Sequence, residues 1–158
     1  MADERKLALA HKVFAGLCDA LDAREWHYDK DEEKLAVHFG VKGEDIPIKI
    51  AMFVDVERQL IRLLSPLPFS MSEDKRIEGA VATCEFTDRL VDGSFDFDIS
   101  TGGIFFRMTA SFRESVIGEK LFQYMISCAC QTVDEYNDTL LALNKGVIDI
   151  NKILASRE

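Results

Sequence analysis

The chain has 158 residues, of which 47% are hydrophobic and 30% charged. That is material for one domain with a sizeable core, read here as residues 1–158, and the mixture excludes fibrous and disordered chains. Nineteen Lys and Arg against twenty-eight Asp and Glu leave a net charge of −9, a balance that opposes binding to nucleic-acid phosphates or to anionic lipid.

No apolar run approaches the ~20 residues of a membrane-spanning helix. The opening Met1-Ala2-Asp3-Glu4-Arg5-Lys6 lacks the apolar segment of a secretion signal. Cys18, Cys84, Cys128 and Cys130 each sit among apolar or small residues in helix-like segments. That is the setting of buried, reduced thiols rather than of a disulfide framework, so a cytoplasmic protein is expected.

A first helix is predicted over residues 3–23, where Leu7, Ala10, Val13, Phe14, Leu17 and Leu21 recur at three- and four-residue steps. Trp26 and Tyr28 leave room for an early strand before the polar turn Asp29 to Glu33. Period-two alternation then marks Leu35–Val41 and Ile48–Val56 as strands, joined by Lys42-Gly43-Glu44-Asp45. Pairing Phe39 with Ile48 and Val37 with Ile50 puts their apolar residues on one face. A third strand after Glu57-Arg58 places Ile61 opposite Val54 and Leu63 opposite Met52, and Pro66-Leu67-Pro68 is read as its end. Ser70-Met71-Ser72-Glu73 reads as a capping box. The helix it opens carries Ile77, Ala80, Val81 and Cys84 as its inward stripe, with Gly79 set for close packing.

Asp92-Gly93 closes that helix and a hairpin follows. Phe95, Phe97 and Ile99 alternate with polar residues, and Ile104, Phe106, Met108, Ala110 and Phe112 do so on the partner strand. A two-residue turn pairs Ile99 with Ile104 and brings Asp96 to Arg107. From Gly118 the pattern is helical, with Phe122, Ala129, Tyr136, Leu143 and Ile150 in one seven-residue series. Ile126, Val133, Leu140, Val147 and Leu154 form its companion. Gly146 is a candidate break, leaving residues 147–155 as a separate short helix. The order α-β-β-β-α-β-β-α has too few crossover helices for a parallel sheet. It predicts an α+β fold, a twisted antiparallel sheet of about five strands with helices on one face.

That order, with Asp92-Gly93-Ser94-Phe95-Asp96-Phe97-Asp98 and Gly103-Ile104-Phe105-Phe106-Arg107, resembles the YbjN family, over roughly residues 3–145. Members of that family are similar in fold to type III secretion chaperones. The turn departs from the family pattern: Thr-Gly-Gly stands where an acidic residue often precedes a single glycine. The resemblance implies a non-enzymatic binding or regulatory role, often with self-association, and carries over no catalytic residues.

The residues themselves point to no reaction. Cys128 and Cys130 lie two apart on a helix and face different ways, and no second cysteine pair or nearby histidine completes a zinc set. Asp92, Ser94, Asp96 and Asp98 lack the glycine and terminal glutamate of a calcium loop. His11, His27 and His38 have no nucleophile at local spacing, and Gly102-Gly103 precedes a strand rather than a helix, so it is no phosphate cradle. No metal and no cofactor is expected. Two surfaces remain. The sheet face opposite the helices would carry Phe53 and Phe105, two large apolar groups, beside His38 and Arg107, together a candidate partner-binding surface. The seam of Tyr136, Leu140 and Leu143 either folds back on the first helix or meets its copy in a homodimer. The reading is a protein-binding module, chaperone-like or a regulatory adaptor, acting as a homodimer. The alternative is a small-molecule binder or enzyme with a pocket between sheet and helices.

Overall fold

A computed structural model of the chain describes residues 2–115 and 117–157. Met1, Val116 and Glu158 lie outside the described residues. Helix α1 (Ala2–Ala23) forms as its spacing predicts and buries Ala10, Phe14, Leu17 and Leu21. Strands β1 (Asp29–Asp31), β2 (Ala36–Lys42), β3 (Pro47–Asp55), β4 (Leu60–Ser70), β5 (Ser94–Phe97) and β6 (Gly103–Ser111) follow, with α2 (Arg76–Arg89) between β4 and β5. Helices α3 (Glu119–Asn144) and α4 (Ile150–Ala155) complete the chain. The strands form one antiparallel sheet of six, ordered β1-β2-β3-β4-β6-β5. The fold is α+β, with one short edge strand more than the expected five. That strand lies just beyond Trp26 and Tyr28. Trp26 itself packs edge-on against Phe39 at 5.2 Å.

Register follows from the turns. Val54 faces Ile61 and Met52 faces Leu63, as predicted. In the first hairpin Phe39 faces Ile50, and in the last Phe95 faces Phe106, each two residues from the predicted partner. Both shifts are even, so the inward side chains still point inward. The first turn sits one residue later than expected, closed by the Gly43 N–H donating to the Ile46 carbonyl at 3.1 Å. The last is wider, because Asp98 accepts from both the amide and the hydroxyl of Ser100 and organises a four-residue loop. Ile99, predicted on the core face, therefore lies in the loop and is exposed.

Three further expectations are corrected. Pro66-Leu67-Pro68 does not end β4, which runs on to Ser70. Its pairing with β3 stops at Leu64, so the prolines lie where β4 has only β6 beside it and few donors are needed. The Ser65 hydroxyl bridges the opening by donating to the Lys49 carbonyl at 2.7 Å. Ser70 caps nothing, since it is still strand; Ser72 precedes a short 3₁₀ turn and its hydroxyl donates to Asp74. Helix α2 buries Gly79, Ala82, Thr83 and Phe86, while Ile77, Val81 and Cys84 face outward. Phe86 decides that rotation. Its ring packs against Tyr136 at 4.5 Å and Phe95 at 6.5 Å, joining α2, α3 and the hairpin. Gly79 does pack closely, as expected: a Cβ there would stand 2.7 Å from Met71 Cγ.

The helices cover the face that carries Val37, Ile50, Met52, Ile61, Leu63 and Phe106, all buried. Helix α3 supplies Phe122, Met125, Ala129, Val133, Leu140 and Leu143 to that core. Leu140 and Leu143 are fully buried within one chain, and Tyr136 stacks on Phe86 and Phe95. Leu140 and Leu143 of the predicted seam are therefore closed intramolecularly, while Tyr136 stays half-buried at its edge. The physical reason is that α3 lies across the sheet between α1 and α2, so its stripe is covered on both flanks.

Candidate partner-binding face

The uncovered face of the sheet is built in rows across the strands, each strand contributing every second residue. The middle row runs His38, Ala51, Leu64, Arg107, Ser94. On one side lies the row Ala36, Phe53, Arg62, Thr109, and on the other Pro66, Phe105, Asp96. All four residues expected to bind a partner lie on this face. His38 and Arg107 stand three strands apart, roughly 14 Å at the usual strand spacing. Phe53 and Phe105 flank the middle row diagonally. Leu64 lies at the centre of the four, half-buried. Pro66 is absent from the expected face because the prolines are taken as the end of the strand, and Leu64 stands beside it as a further apolar member. Their signal was the continued alternation Leu60, Arg62, Leu64, Pro66. Lys34 lies off this face, in the β1–β2 turn, paired with Asp31.

Charged neighbours hold the aromatic and basic groups in place. The Arg62 guanidinium lies over the Phe53 ring at 5.0 Å and also approaches Asp55 at 3.9 Å. Asp55 accepts the backbone N–H of Arg58 at 3.0 Å and its guanidinium at 3.1 Å. The backbone bond foremost, then the Arg58 and Arg62 charges, hold its carboxyl below the usual range against the opposing effect of burial. Arg107 pairs with Asp96 at 2.8 Å, one step diagonal from the directly opposed pair expected. Where β3 and β4 part, an open groove of about 410 Å³ is lined by His38, Lys49, Ala51 and Pro66 among others. Lys42, Lys49, Arg62 and Arg107 stand on this face against Asp29, Asp31, Asp55 and Asp96. On a chain of net charge −9, the charges of the open face balance.

Other clusters are structural. Tyr28 donates to Asp22 at 2.9 Å, and burial, then that carboxylate, push its hydroxyl far up. The aspartates of the hairpin are engaged as well: Asp92 accepts from Tyr124, Asp96 pairs with Arg107, and Asp98 shapes the turn. Among the described residues no group of three His, Cys, Asp or Glu is placed to hold a metal ion. The space between sheet and helices holds the hydrophobic core. A crevice between α1 and α3, lined by Leu21, Trp26 and Ile126, offers about 20 Å³. Among the described residues no helix is long and apolar enough to cross a membrane.

No family model matches the sequence, and no curated protein matches it. Solved structures do. YbjN from E. coli, a proposed transcription regulator, superposes with a TM-score of 0.57 at 11% identity, over 80% of this chain and 92% of that one. The chain has the YbjN fold. A chain of the ExsC–ExsE complex superposes with a TM-score of 0.61 at 13% identity, over 84% of this chain and 96% of that one. A chain of the HopA1–SchA chaperone–effector complex matches at a TM-score of 0.46 and 12% identity, covering 84% of this chain and 89% of that one.

Proposed function

We propose that the chain is a single chaperone-like α+β domain that binds another protein, without catalysis, on the open face of its sheet. The observation that carries the reading is one-sided coverage. Helices bury one face of the six strands, while Phe53, Leu64, Pro66 and Phe105 stay within reach of solvent among His38, Arg62 and Arg107. An apolar centre with a charged rim is the anatomy of a protein-binding surface. Likeness in fold to a chain from a two-protein complex supports it. Four free thiols suit a reducing compartment, and the cytoplasm is the proposed location. A homodimer is part of the reading, supported by apolar side chains exposed on the helical side: Ile77, Val81, Val147 and Leu154.

The test is affinity capture from native lysate with the parent chain and with Phe53→Glu/Phe105→Glu, both groups being only half-buried. A protein captured by the parent and lost by a variant of unchanged circular dichroism is expected. Equal capture by both would sink the sheet-face assignment.

A further inference from the structure

The apolar stripe of α3 does not stop where the helix stops. Tyr136, Leu143 and Ile150 continue one seven-residue series, and Leu140, Val147 and Leu154 the other. Residues 147–154 therefore keep the phase of an uninterrupted helix. The folded chain leaves that phase unused, with Val147 73% and Leu154 42% exposed. Gly146 is where the chain turns away. It adopts a φ of 71°, its N–H donates to the Leu143 carbonyl, and the Val147 N–H donates to that of Ala142, the glycine-dependent helix stop. Nothing lies within 4 Å of the position its Cβ would take, so only the backbone angle holds the break.

After the break, α4 returns to a defined seat on α2. Ile153 is buried, and Arg89 donates to its carbonyl at 2.9 Å. The Ile150 amide donates to Glu78, and Arg157 pairs with both Glu85 and Asp88. The seat is acidic on its α2 side and the incoming segment carries the matching cation.

We infer that α4 is an exchangeable element: in the homodimer α3 and α4 straighten into one helix, and the α4 of each copy fills the α2 seat of the other. The inference rests on the homodimer reading above and is independent of the sheet face. Each contact made by α4 is remade across the two-fold axis, so the seat itself loses nothing. The straight helix returns Val147 and Leu154 to the stripe, where two neighbouring copies bury them against each other. Residues 145–149 are a short link, and short hinges favour exchange over back-folding.

Two measurements on the full chain decide it. Gly146→Ala changes only the backbone preference, disfavouring the left-handed turn and favouring the continuous helix. By sedimentation equilibrium the parent is expected to dimerise, and the variant to dimerise about tenfold or more tightly, since each dimer contains two hinges. Next, Asp88→Arg is mixed with Arg157→Glu; both positions are exposed, so both variants fold. Each variant alone carries like charges across its own seat, and only an exchanged heterodimer restores opposite charges in both seats. Native mass spectrometry from low-salt buffer should show heterodimer above the share that random pairing gives. A dimer unmoved by Gly146→Ala, or random mixing, overturns the exchange and leaves the homodimer reading standing. A chain monomeric at every concentration, with and without Gly146→Ala, overturns both.

Discussion

Replacing Gly79 by alanine sets two effects of opposite sign against each other on α2. In an exposed helix the change is stabilising by about 1 kcal/mol, because glycine loses more backbone freedom on folding. Here the added methyl would stand 2.7 Å from Met71 Cγ and 3.0 Å from Phe97 Cε2. Met71 is buried and its amide is tied to the Gly102 carbonyl at 2.8 Å, while Phe97 is fixed in β5 opposite Ile104. Met71 has no open side to move into and the half-buried Phe97 ring is held by its strand, so the added methyl overpacks the site at a cost of about 1–3 kcal/mol. The clash wins. The expected outcome is a net loss of about 1 kcal/mol, seen as a lower urea midpoint with unchanged slope. For a chain of this size it corresponds to a melting temperature lower by roughly 2–4 °C. The measurement is urea and thermal unfolding followed by circular dichroism. A variant more stable than the parent would refute the reasoning, because α2 would then not lie against the hairpin as described.

Leu140→Ala should cost about 2–5 kcal/mol, the range for removing a buried leucine, and by the same amount at protein concentrations a decade apart. A loss under about 1 kcal/mol would mean that Leu140 is not packed inside the chain. Asp55→Asn removes a carboxylate whose pKa is depressed on folding. Such a group contributes stability above its unfolded pKa of about 3.9 and loses that contribution as pH falls through the folded value. The parent should exceed the variant by about 1–2 kcal/mol at neutral pH, and the two unfolding curves should converge in strong acid. A gap that stays constant down to roughly pH 2.5 would remove Asp55 from the account.

Side-chain polarity with period two was enough to find five of the strands and, Ile99 excepted, to put their inward residues on the right face, because a pairing error of two residues leaves parity unchanged. What the alternation could not supply was turn length. Asp98 binding Ser100 is a local hydrogen-bond event, and it moved Ile99 from the core to the loop. On α2 the pattern misled outright: Ile77 and Val81 are more apolar than Gly79 and Thr83, yet the latter are buried. Tertiary contacts chose that face, through the Phe86 ring and the closeness only glycine permits beside Met71. The candidate face was legible where alternation was clean, at His38, Phe53, Phe105 and Arg107. It was hidden at Pro66, where a proline rule for interior strands was applied to a strand that had already lost a neighbour. Heptad spacing correctly marked Leu140 and Leu143 as buried but could not say by what, since one helix pattern serves packing within a chain and between chains alike.

The departure of β3 from β4 has a consequence for solubility. A long strand bare along one flank is ordinarily an invitation to fibril growth, since its amides can recruit any passing extended segment. Here the bare stretch contains Pro66 and Pro68, and a proline has no amide hydrogen to offer. On its β4 side the notch thus exposes surface with two donors missing from any template. A partner lying across it would be gripped by side chains and could not be annexed as a seventh strand at that point.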